Sequence, residues 1–152
     1  MSGAAARSYV RGMDSLALRP APPVRSHRPR VSLWLLRVAL TAQLVTAVTL
    51  PVLAGLFLGG DVDAVVWHGI AGGLLVLLGV TTAVVAGAYV LGGRGRWWVL
   101  PVAVLAAAAE VVQLTFGYAG TLSVHVPLGA GVVTAVVVLT GWAWSPAARR
   151  AR

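Results

Sequence analysis

The residues able to do chemistry in this chain are few. His68 and His125 are set 57 positions apart, and Glu110 and Gln113 lie between them in otherwise apolar sequence. Each histidine is followed four residues later by glycine, Gly72 and Gly129. On a helix that spacing puts the glycine one turn on, on the histidine's own face. Imidazole is an axial ligand of haem iron. A glycine one turn away would let a flat macrocycle lie close to the backbone. One expectation is therefore a single haem b held by His68 and His125, with no other cofactor. Two histidines fall short of a zinc site, which takes three or four protein ligands. Histidines near the ends of membrane helices also sit in the polar interface, and glycines there serve packing. A purely structural pair is the alternative, and a pocket for a quinone or another small molecule is a third reading.

Glu110 and Gln113 are three apart and so share a helix face. An acidic residue inside an apolar span is a functional candidate by default. It would serve as a proton-relay group, as a partner for a histidine N–H, or as a hydrogen-bonding group toward a neighbouring helix. No residue is assigned a catalytic role.

What must position these side chains is set by composition. The chain has 152 residues, 59% hydrophobic and 11% charged. A soluble domain carries about 25% charged residues, so the expectation is an integral membrane protein. Cysteine is absent, which excludes disulfides, thiolate-bound metals and thiol catalysis. All twelve basic residues are arginine, a bias that fits a high-GC bacterial genome. The net charge of +8 does not point to nucleic acid, because every arginine lies at or before a membrane boundary.

Apolar runs predict four transmembrane helices, over 33–58, 65–91, 97–116 and 124–144, each near the roughly 20 residues that a bilayer requires. The first run is too long for the apolar core of a signal peptide, so it is expected to stay uncleaved. Pro51 should kink its outer half. Gly55 and Gly59, like Gly69 and Gly73, make GxxxG pairs suited to close helix packing. Gln43 should hydrogen-bond a neighbouring helix. Pro127 is placed in the first turn of the last helix, where a missing N–H costs little. The glycine-rich turn at 92–96 lies between two helices and reads as a connection rather than a phosphate loop.

Residues 1–32 carry Pro20, Pro22, Pro23 and Pro29 among scattered arginines and read as a disordered basic tail, with His27 solvated in it. Residues 145–152 read as a second basic tail. Arg94 and Arg96 lie in the middle turn, whereas Asp61 and Asp63 lie in the first. The positive-inside rule then puts both termini in the cytoplasm of a bacterial plasma-membrane protein. Short turns make successive helices antiparallel neighbours, which gives an all-α up-down-up-down bundle. The second and fourth helices are then parallel and diagonal. His68 lies about 35 Å from the inner end of its helix and His125 about 28 Å, at similar depth near the outer face.

This pattern resembles one four-helix half of bacterial haem A synthase, over roughly residues 38–144. That family carries a histidine near the outer end of the second and fourth helices of each unit, which here match His68 and His125. The run Gln113, Leu114, Thr115, Phe116, Gly117 ahead of His125 is similar to the family's glutamine–glycine run before its last histidine. The resemblance implies the bundle and a haem site. It does not extend to the oxygenation chemistry, since the enzyme has two such units and this chain one. The family's acidic residue close before the histidine is also missing, as Val65 stands three before His68 and Asp63 five before. The cysteine pair of many bacterial members has no counterpart here. The chain is also similar to small four-helix membrane proteins of actinobacteria.

The functional expectation is a b-type cytochrome-like membrane protein for electron transfer or redox sensing near the outer face. Its partners would be the lipid bilayer, a membrane or extracytoplasmic redox partner, or a second copy of itself. The alternative is a helical scaffold or accessory subunit without cofactor. A transporter using Glu110 is disfavoured by the absence of an inverted repeat or a second acidic residue in the spans.

Overall fold

The computed structural model describes residues 30–149. Most of the expected N-terminal tail, His27 included, and residues 150–152 lie outside them. Four helices follow in order, α1 Arg30–Leu58, α2 Ala64–Leu91, α3 Val99–Tyr118 and α4 Leu122–Trp144, and a short 3₁₀ turn, Pro146–Arg149, closes the described chain. Each of the four is long and apolar enough to cross a membrane. Packing joins α1 to α2, α2 to α3, α3 to α4 and α4 back to α1, while α1–α3 and α2–α4 make no close backbone approach. The helices therefore form a ring with two diagonals. His68 and His125 lie at one end of it, and Arg37, Arg94, Arg96 and Arg149 at the other.

The helix limits depart from the sequence expectation for local reasons. α3 starts at Val99 rather than at 97. That start puts Pro101 in the first turn, where its missing N–H has no intrahelical partner to lose. α4 starts at Leu122, with Val124 N and His125 N both donating to Thr121 O. Pro127 is consequently in the second turn, not the first, and removes a bond to the Ser123 carbonyl. α1 begins at Arg30, inside the expected tail, and runs through Pro51 without a break.

The core is divided by a polar layer. Toward the arginine end, Leu36, Leu40, Tyr89, Val99, Leu139 and Ala143 belong to one buried apolar cluster. Ala47, Leu75, Val132 and Val136 form a second. Buried Gln43 and Thr82 come between them in chain position on α1 and α2, and buried Glu110 of α3 bonds Gln43. Small residues allow the close approach. Ala103, Ala106 and Ala107 are buried on α3, and a Cβ at Gly79 of α2 would meet Ala107 Cα at 3.4 Å.

The arginine end is capped by aromatic side chains. Arg37 is buried, with its guanidinium carbon 5.0 Å from the ring centroids of both Trp34 and Trp144. Its Nε donates to Ala143 O at 2.8 Å, a carbonyl in the last turn of α4 that has no intrahelical donor. The arginine thus caps α4 and places positive charge at the negative end of its dipole. Residues 145–149, expected as tail, pack back onto the bundle. Ala148 is buried and its carbonyl accepts from Tyr89 Oη at 3.0 Å. Gly95 seats the Tyr89 ring, and Arg94 takes φ 51° beside it to turn the chain from α2 into α3.

Candidate functional site

His68 sits in the second turn of α2 and His125 in the first turn of α4, so the diagonal of the bundle separates their backbones. The side chains close that gap. Their ring centroids are 6.1 Å apart with planes inclined at 60°. Each ring is anchored through the same nitrogen. His68 Nδ1 lies 3.0 Å from Leu50 O on α1, and His125 Nδ1 lies 3.0 Å from Gln113 O on α3. A carbonyl can only accept, so both Nδ1 atoms must carry hydrogen. In the neutral ring the lone pair then lies on Nε2. This is the arrangement of metal-bound histidines, which give their second N–H to a carbonyl or carboxylate that fixes tautomer and orientation.

Gly117 makes the second anchor possible. It is the residue four beyond Gln113 on α3, and a Cβ there would come within 2.9 Å of His125 Cε1 and 3.0 Å of Nδ1. The ring lies directly against the glycine backbone. The sequence marks Gly117 only as the end of a short run. What could have identified it is its place one helical turn after Gln113.

Gly72 and Gly129 sit one turn inside the histidines, as expected, but each already faces a side chain of α3. A Cβ on Gly72 would meet Leu114 Cδ1 at 3.1 Å, and one on Gly129 would meet Gln113 Nε2 at 2.5 Å. The two glycines seat α3 side chains.

Glu110 lies one turn further in and is not a histidine partner. Gln43 Nε2 donates to Glu110 Oε1 at 2.6 Å, and Thr82 Oγ1 donates to Gln43 Oε1 at 2.7 Å. The Gln43–Glu110 bond spans the α1–α3 diagonal. Both diagonals of the ring are therefore bridged by polar side chains, one by the imidazoles and one by the amide–carboxyl pair. The expectation that Gln43 bonds a neighbouring helix holds through Thr82 of α2, and its amide also reaches the diagonal α3. Glu110 Oε2 and Gln113 Oε1 are buried without a hydrogen-bond partner among the described residues. Gly79 faces the Glu110 carboxyl so closely that any side chain there would collide with it.

Of the GxxxG pairs expected to pack helices, only Gly69 approaches another helix among the described residues. A Cβ on Gly55 or Gly73 would meet nothing within 4 Å, one on Gly59 only its own helix, and one on Gly69 the Tyr118 hydroxyl at 3.7 Å.

The residues present can be weighed against a haem. An iron midway between two imidazole nitrogens, with bonds of about 2 Å each, sets the ring centroids roughly 6 Å apart. The 6.1 Å separation and the paired Nδ1 anchors meet that requirement. The macrocycle would displace the Leu114 and Gln113 side chains from the glycine seats. Both are long and rotatable, so the donor set fits the group and the surroundings would fit it only with these two side chains turned aside. Among the described residues no cluster of three or more His, Cys, Asp or Glu is present that could hold a metal ion by itself. No family model, curated protein or solved structure matches this chain.

Proposed function

We propose that this is a small b-type cytochrome-like membrane protein that binds one haem between His68 and His125. The observation that carries the reading is the pair of imidazoles meeting across the α2–α4 diagonal. Each has Nδ1 committed to a backbone carbonyl, which leaves Nε2 for a metal. When bound, haem supplies reversible one-electron exchange. The chain's own residues do the rest. Leu50 O and Gln113 O hold the ligand rings, Gly117 admits the His125 ring, and Gly72 and Gly129 supply room once Leu114 and Gln113 turn aside. The resemblance to one half of haem A synthase supports the same site.

The bundle lies in a bacterial plasma membrane with both termini cytoplasmic and the histidine end outward, by the arginine distribution. Electron transfer or redox sensing at the outer face follows from that depth, with a membrane or extracytoplasmic redox partner. Visible absorption of the detergent-purified protein from haem-replete cells tests the reading. A stoichiometric haem spectrum is expected, and a colourless preparation contradicts it. Reporter fusions after residues 61 and 120 should read as outside, and cytoplasmic readings there overturn the orientation.

The filled glycine seats favour a second reading, a cofactor-free helical scaffold. In it the imidazoles pin α2 to α1 and α4 to α3. The colourless preparation is its expected result.

A further inference from the structure

Two buried acceptors on one face of α3 have no donor. Glu110 Oε2 and Gln113 Oε1 are three residues apart, hence one turn, and neither has a hydrogen-bond partner among the described residues. Each group is seated on a glycine of a different helix. Gly79 of α2 faces the carboxyl, and Gly129 of α4 faces the amide. A Cβ at either place would collide with the group it faces, so the two seats fix a pair of polar groups in an apolar interior.

An ionised carboxylate here would hold a single hydrogen bond, from Gln43. Among the described residues no charged group joins it from the elements packed around it. α1 contributes Gln43, α2 contributes Gly79 and Thr82, and α4 presents Gly129 toward the neighbouring Gln113. Arg37 is six residues from Gln43 toward the arginine end and engages Ala143 O. His125 lies beyond Gln113, toward the other end. A buried charge with one bond and no counter-charge is expensive. Two buried acceptors one helical turn apart without a donor are likewise costly. One proton removes both faults. It neutralises the carboxyl and turns Oε2 from an acceptor into an O–H donor, directed at Gln113 Oε1 directly or through one enclosed water.

We propose that Glu110 and Gln113 form an internal proton-exchange site, with the proton carried on Glu110 Oε2 and shared with the Gln113 side-chain oxygen. It stands one turn inside the histidine pair and belongs to the haem-free protein, in which Gln113 keeps its seat on Gly129.

Infrared spectroscopy of the detergent-purified full chain tests this, because a protonated carboxyl has a C=O stretch that a carboxylate lacks. The chain has four acidic residues, and Asp61 and Asp63 are exposed. Near neutral pH the expected result is a carboxyl band that is lost in Glu110→Gln. It should move to higher frequency in Gln113→Leu, where the shared hydrogen bond is gone. It should also shift on transfer to heavy water and fade reversibly as pH is raised. Gln113→Leu leaves the Gln43–Glu110 bond in place, so it serves if Glu110→Gln fails to fold. A missing band, a band unmoved by Gln113→Leu, or one that does not exchange in heavy water overturns the proposal. So does a band abolished by sodium at constant pH, which would assign the two oxygens to a metal cation. None of these readouts uses haem, so a colourless protein that retains the band rejects the cytochrome and leaves the proton site standing.

Discussion

Gln43→Met removes the only hydrogen bond that Glu110 receives among the described residues and the acceptor of Thr82 at the same time. Methionine matches glutamine in length, so the main change is loss of polarity. Thr82 can turn its hydroxyl to the carbonyl four residues back, as Thr81 does to Leu77 O at 2.8 Å. Glu110 has no such recourse, and its Oε1 is left unmatched. Stranding a buried polar group costs about 1–3 kcal/mol, and interhelical side-chain bonds in membrane proteins average roughly 0.6 kcal/mol. We expect Gln43→Met to destabilise the bundle by about 2 kcal/mol. Glu110→Leu alone strands the Gln43 amide at comparable cost. Replacing both partners leaves an apolar diagonal with nothing unmatched, so the double variant should recover about 1–2 kcal/mol relative to the sum of the singles. Reversible unfolding in mixed detergent micelles measures all four corners of the cycle. Additivity within about 0.5 kcal/mol would mean that the bond across the α1–α3 diagonal is not made in the folded protein.

Other outcomes follow from the same geometry. Gly79→Ala should destabilise by about 1–3 kcal/mol, because the added Cβ meets the Glu110 carboxyl on one side and Ala107 Cα at 3.4 Å on the other; the same micelle assay reads it. Arg37→Met removes the cap on Ala143 O and the cation between two indoles, and should cost about 2 kcal/mol, together with a change in tryptophan fluorescence. In haem-loaded protein an ionised Glu110 about 8 Å from the iron would favour the oxidised form by roughly 2 kcal/mol at an effective dielectric near 20, or about 90 mV. The midpoint potential should therefore rise as Glu110 is protonated, and Glu110→Gln should hold the higher value with a flattened pH slope. An unchanged slope in a redox titration contradicts the coupling.

Much of the architecture is legible in the sequence, because hydrophobic run length and short turns suffice for it. The apolar stretches are close to bilayer length, and antiparallel neighbours follow from connections too short for anything else. The histidines' shared depth comes from counting rise along two parallel helices, and the 6.1 Å approach of their rings agrees with it. The glycines are harder to read. Sequence gives Gly72 and Gly129 the histidine's face but not the α3 side chain that fills the space, since that depends on how α3 is rotated. GxxxG spacing singled out Gly55 and Gly59, which pack against no other helix, and passed over Gly79, Gly117 and Gly129, which do. The partner of Glu110 was hidden for a similar reason. Helical spacing places Glu110 and Gln113 on one face, but only the assembled ring puts Gln43 across the diagonal from it. Residues 145–149 look like a tail because they are short and basic, and what docks them is the buried Ala148 together with the Tyr89 hydroxyl that bonds its carbonyl.

The claim that one iron is held from both α2 and α4 is tested most directly by the spin state of the haem in three purified proteins, the wild type, His68→Ala and His125→Ala. Low-temperature electron paramagnetic resonance of the oxidised forms separates the cases, because two imidazole ligands give a low-spin signal and one gives a high-spin signal. Low spin is expected in the wild type, and high spin or loss of haem in each variant. A low-spin wild-type signal that survives in either variant would show that the iron is not bridged by His68 and His125.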